Sequence, residues 1–74
     1  MEVFRLVSEN LAHSEGIFSM DEFNFNELYS TIDKAIIRAE NDLKKPIKWN
    51  KVHYGLQSDT YGIVIYKIFR EKVN

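Results

Sequence analysis

The chain contains no cysteine. That removes disulfides, thiolate-bound zinc and thiol nucleophiles together, and it fits a reducing cytoplasm. Glycine and proline are also scarce, with three and one in 74 residues, which leaves no room for a low-complexity or collagen-like tract. No run approaches the roughly 18 apolar residues of a membrane span. The first ten residues, MEVFRLVSEN, carry Glu2, Arg5 and Glu9 where a secretory leader needs an unbroken apolar stretch. The last six, FREKVN, carry no lipidation box. There is neither a G-x-G-x-x-G loop nor a G-K-[ST] loop, so the usual nucleotide cradles are missing.

What remains is ordinary globular material. Hydrophobic residues make up 45% of the chain and charged residues 28%, a balance that folds and does not stay disordered. At this length the expectation is one small domain over residues 1–74. Ile, Lys, Asn, Tyr and Phe are abundant, and all have AT-rich codons. That bias suits an AT-rich bacterium, or a phage or mobile element within one.

The net charge of −1 hides a split. Residues 1–42 hold nine acids against Arg5, Lys34 and Arg38, a balance of −6; residues 43–74 hold seven bases against Asp59 and Glu71, a balance of +5. An acidic and a basic side are therefore expected, unless folding interleaves the two halves.

Hydrophobic periodicity predicts a β-α-β-β chain. Residues 2–9 alternate as a strand, with Phe4 and Leu6 on one side. Leu28, Ile32, Ala35, Ile36, Ala39 and Leu43 recur at spacings of three and four and predict a helix. Ser19 with Glu22 and Asn24 with Glu27 offer two capping boxes, and the second is the expected start. Lys44, Lys45 and Pro46 predict its end, with Glu40 and Lys44 as an i,i+4 pair. IKWNKVHYGLQ then reads as one strand, with Val52, Tyr54 and Leu56 opposite Trp49, Lys51 and His53. TYGIVIYKIFR, residues 60–70, reads as the last strand and is apolar on both sides, so it should be central.

The expected fold is thus α+β: a two-layer sandwich of a three-stranded antiparallel sheet, order 1-3-2, with one helix on one face. One helix covers one face only. The other should show Arg5, Trp49, Lys51, His53, Tyr61, Ile63, Ile65, Lys67 and Phe69, an apolar surface set with bases. A face of that kind is expected to bind another protein or a second copy of the chain. The rival cover is the connection over residues 10–23, with Leu11, Ile17, Phe18 and Phe23.

Signals for catalysis are weak. His13 and His53 stand without a metal-ligand spacing, and no cofactor is expected. Ser14 and Glu15 beside His13 are neighbours in sequence, which is no triad. Asp21, Glu22 and Glu27 suit a helix start better than acid–base chemistry. The four lysines of KKPIKWNK suit a helix end followed by a protected edge strand better than a phosphate site. The sequence therefore predicts a non-enzymatic, cytoplasmic protein-binding module, in the manner of small phage accessory proteins that inhibit a host defence or enzyme. The alternative is a single-stranded nucleic-acid-binding module using the same aromatic and basic face.

Overall fold

The computed structural model describes residues 1–10 and 23–73. The described chain is α+β, but its sheet has five strands and not three. They are β1 (Glu2–Asn10), β2 (Phe23–Tyr29), β3 (Trp49–Val52), β4 (Gly55–Ser58) and β5 (Val64–Lys72), with one helix, α1 (Ile32–Leu43), between β2 and β3. The spatial order is β2-β1-β5-β4-β3, every neighbour antiparallel. This replaces the three-stranded 1-3-2 arrangement. The strand that is apolar on both sides, β5, is central as the pattern required.

Two local readings account for the difference. Residues 23–29 form a strand because Phe23, Phe25 and Tyr29 recur with period two, and aromatics fit a pleated surface better than a helix. Leu28 met the helical spacing by coincidence; it faces Arg5 across the β1–β2 ladder and is 52% exposed. The helix starts at Ile32, with Thr31 as its N-cap accepting the Lys34 N–H at 3.2 Å. The second difference lies at Gly55. The presumed single strand reverses through His53 and Tyr54, so Lys51 faces Leu56 and Trp49 faces Ser58.

The helix ends as predicted, after Leu43. Lys44 takes the left-handed conformation, φ 66°, and donates its N–H to the Glu40 carbonyl at 2.7 Å. The Glu40 carboxylate accepts the Ile47 N–H at 3.2 Å, which draws the departing chain back against the helix.

The core lies between α1 and the sheet. Leu6, Ile68 and Tyr66 come from the strands, Ala35 and Ala39 from the helix, and Ile47 from the connection behind it. The two alanines let the helix backbone come close to β1 and β5. Leu6 and Ile68 are fully buried, each worth about 2–3 kcal/mol relative to exposure. At the far end the β4–β5 ladder stops at Gln57↔Lys67, so the next amide, Tyr66 N–H, needs another acceptor. The buried Ser58 hydroxyl supplies it at 2.9 Å and donates onward to the Asp59 carbonyl at 2.7 Å.

The charge split does not survive folding as two sides. Pairing β1 with β5 brings the acidic half onto the basic half, through Arg5–Glu71 at 2.8 Å, Lys67–Glu9 at 2.7 Å and Arg70–Glu2 at 3.9 Å. Among the described residues no helix is long and apolar enough to cross a membrane.

Candidate functional site

Strand alternation distributes the residues expected at the partner face over both sides of the sheet. Arg5, Ile65, Lys67 and Phe69 lie together on the side away from α1, because Arg5 faces Phe69, Val7 faces Lys67 and Glu9 faces Ile65. Trp49 and Lys51 lie on the helix side, following Ser58 and Leu56. Tyr61 packs against the core, its hydroxyl accepting the Lys48 N–H at 2.8 Å and its ring lying under the Lys45 ammonium. Ile63 is exposed on the approach to β5. His53 occupies the β3–β4 turn, its ring edge-on to Tyr54.

The side away from the helix is not an open apolar slab. Val7 and Ile65 are already buried, at 5% and 9% exposure. The Tyr54 ring stacks on Phe69 at 4.4 Å and 24°. Its hydroxyl contacts Gln57 Oε1 at 2.8 Å, and loss of water contact raises its pKa. The two cations here are already engaged: the Arg5 guanidinium with Glu71 and Asn26, the Lys67 ammonium with Glu9. The connection expected to fold across this side, with Leu11, Ile17 and Phe18, lies outside the described residues, as do His13, Ser14, Glu15, Ser19, Asp21 and Glu22.

On the helix side, at the end where α1 begins, the helix does not reach the sheet edge. A groove of about 370 Å³ opens there, a size that takes a few side chains of a partner or a small ligand. Ile32 and Leu56 line it with apolar side chains, Lys51, His53 and Arg70 with basic ones, and Val52, Tyr54 and Gly55 line it from the β3–β4 turn. Among the described residues no acid lines it. The nearest counter-charge to Arg70 is Glu2, at a loose 3.9 Å, and Arg70 also lies over the Phe4 ring at 5.9 Å. Of α1 only Ile32 lines the groove, and the same first turn carries Asp33.

Lys51 and His53, both expected at a partner site, meet in this groove. Ile32, Val52, Leu56 and Arg70 were not expected there. Arg70 carried the readable signal. It follows Val64, Tyr66 and Ile68 on the helix side of β5, and a cation on an otherwise apolar run marks where the helix stops covering it. Among the described residues no three His, Asp or Glu side chains are grouped to hold a metal ion. Comparison with protein-family models, with curated proteins and with solved structures finds no match for the chain.

Proposed function

We propose that this chain is a non-enzymatic protein-binding module, and that the groove beside the β3–β4 turn receives an acidic segment of its partner. The observation that carries this reading is the lining: apolar side chains with three basic ones and, among the described residues, no acid, in a chain whose net charge is −1. Apolar side chains of an extended partner would cover Ile32 and Leu56, and its carboxylates would meet Lys51 and Arg70. Rim charges of this kind steer encounter and select partners more than they add affinity.

The placement of the remaining cations favours a peptide over a nucleic acid. A single strand needs a row of unpaired bases along its backbone path. Arg5 and Lys67 are held by Glu71 and Glu9, and Trp49 lies on the opposite side of the sheet from Phe69.

The test is amide chemical-shift titration with a short peptide of alternating leucine and glutamate, its leucine–lysine counterpart, and a thymidine oligonucleotide. The acidic peptide should shift Lys51, His53 and Arg70 saturably, and Lys51→Glu with Arg70→Gln should weaken it about tenfold or more. Equal response to both peptides, or none to either, removes the proposal. A saturable response to the oligonucleotide alone would make the chain a nucleic-acid-binding module.

A further inference from the structure

One edge of the sheet is β3, and among the described residues nothing pairs with its outer side. The hydrogen-bond phase of the β3–β4 ladder decides what that side offers. The Asp59 N–H donates to the Lys48 carbonyl at 3.1 Å, which makes Lys48 and Asp59 a hydrogen-bonded pair one step before Trp49↔Ser58. Such pairs alternate along an antiparallel ladder. Asn50 and Val52 therefore turn their backbone groups toward β4, and Trp49 and Lys51 turn theirs outward. Each of these two residues presents an N–H and a C=O that no described residue takes up.

Charge marks the same edge. Arg5, Arg38, Lys67 and Arg70 each have a carboxylate partner. Lys48 and Lys51 are exposed and make no ion pair among the described residues. Lysines at an edge strand discourage the addition of a neutral strand. A second copy of β3 would bring the same two cations to the same seam. An acidic strand meets neither obstacle.

We propose that the acidic segment of the partner joins β3 as a further, antiparallel strand, bonded through the backbone of Trp49 and Lys51. This rests on the groove being the seat of an acidic segment, and adds to it the partner's conformation and the order of its residues. A partner residue directly opposite Lys51 exchanges two hydrogen bonds with it and sends its side chain to the same side of the sheet, so a glutamate there faces the ammonium. Two positions further toward the partner's C-terminus, the residue opposite Trp49 exchanges two more bonds. It lies beside the half-buried indole, where an apolar side chain fits. The residue between them turns its side chain to the other side and its N–H away from β3. The recognised segment thus reads acid, any residue, apolar residue. Backbone bonds of this kind supply affinity, and the alternate side chains supply selectivity. Residues preceding the acid run on past Val52 toward His53, along the rim of the groove.

The probe is a short threonine-rich peptide carrying one glutamate–threonine–leucine run, with a single backbone N-methyl group placed at each of those three residues in turn. Methylation at the glutamate or the leucine removes a bonding N–H and should weaken binding about tenfold or more; methylation at the threonine between them should cost less than about twofold. On binding, the Trp49 and Lys51 amides should slow in hydrogen exchange, and Asn50, already paired with Gln57, should change least. Lys51→Glu should reverse the preference, toward the same peptide with lysine in place of glutamate. Equal loss at all three methylated positions, or binding that leaves the two amides exchanging freely, overturns the strand and leaves the groove as the partner's seat. If none of these peptides binds while the leucine–glutamate peptide does, the strand fails alone; if neither kind binds, both proposals fail. Protection of the Trp49 and Lys51 amides that grows with concentration of the peptide-free chain would give the edge to a second copy and overturn the proposal as well.

Discussion

A Cβ placed on Gly55 would lie 2.1 Å from the carbonyl oxygen of Ile68. The approach arises because the β3–β4 reversal presses its backbone onto β5, where Gly55 faces Phe69 and the Arg70 N–H donates to the Tyr54 carbonyl at 2.9 Å. Gly55 also has φ of +151°, a conformation that side-chain-bearing residues rarely adopt. Ile68 is fully buried, so its carbonyl cannot swing aside without disturbing the core. Gly55→Ala should therefore cost about 3 kcal/mol or more, combining backbone strain with a displaced strand. Urea denaturation measures this. A midpoint close to the parent's would mean that the hairpin does not bear on β5 as described.

Tyr66 sets a limit on alkaline stability. Its ring is 1% exposed, and its hydroxyl reaches out of the core to Asp42 Oδ2 at 2.7 Å. Burial first, and then the neighbouring carboxylate, push its pKa well above the usual tyrosine range. The folded chain therefore keeps a proton that the unfolded chain releases near pH 10. The stabilisation is complete below that pH and is lost as pH rises from there toward the folded value. Stability should fall steadily above about pH 10. Tyr66→Phe should reduce that fall while costing about 1–2 kcal/mol at neutral pH for the lost hydrogen bond. Absorbance titration at alkaline pH, run beside thermal melts, checks both; an ordinary tyrosine titration with no late-ionising component would contradict the buried placement.

Much of the fold's centre was legible because β1 and β5 obey one simple rule. Phe4 and Leu6, and Val64, Tyr66 and Ile68, alternate strictly, and those sets are the ones that meet under the helix. The edges were harder for identifiable reasons. Leu28 stands four residues before Ile32, so the helical stripe extends falsely into β2 and hides the period-two aromatics. Gly55 falls inside an alternating pattern that passes for one strand, although glycine within such a pattern signals a bulge or a close approach. The reversal at Gly55 puts Trp49 and Lys51 on the same side as Leu56, opposite to what a continuous strand implies. The groove itself was hidden because it depends on where Ile32 begins the helix. The ion pairs of Arg5 and Lys67 depend on register, which composition does not supply.

The end of α1 carries a correctable strain. Lys44 holds φ 66° and ψ 32° at the position where glycine usually closes a helix. A side chain in that region costs about 1–2 kcal/mol, partly relieved by the bond from its N–H to Glu40. Lys44→Gly should raise stability by about 0.5–1 kcal/mol despite the greater freedom of glycine in the unfolded chain. Lys44→Val, whose branched side chain tolerates this conformation least, should lower it. The order of melting temperatures, Gly above Lys above Val, is the expected result, and Lys above Gly would refute the strain.

Trp49 is the residue for which sequence and structure make opposite forecasts. As the anchor of an exposed partner face, its truncation would weaken association and spare stability. In the fold it packs half-buried against the core from the edge strand β3, on the helix side, beside the buried Ser58. Trp49→Ala should therefore destabilise the chain by about 3 kcal/mol, the lower part of the range for truncating an aromatic core residue, because the site is only half enclosed. One further detail separates this account from simple loss of bulk. The indole Nε1 is out of water with no hydrogen-bond partner among the described residues. Leaving such a donor unpaired carries a cost of its own, about 1–3 kcal/mol. Trp49→Phe removes the unpaired donor along with one ring, so the two effects oppose, and the variant should lie within about 1 kcal/mol of the parent. Trp49→Ala and Trp49→Phe, compared by urea denaturation and by titration with the acidic peptide, give a clear pattern: alanine much less stable, phenylalanine nearly unchanged, and peptide affinity unaffected in the phenylalanine variant. If Trp49→Ala keeps its stability but loses binding, Trp49 belongs to a partner surface, and its place against the core is wrong.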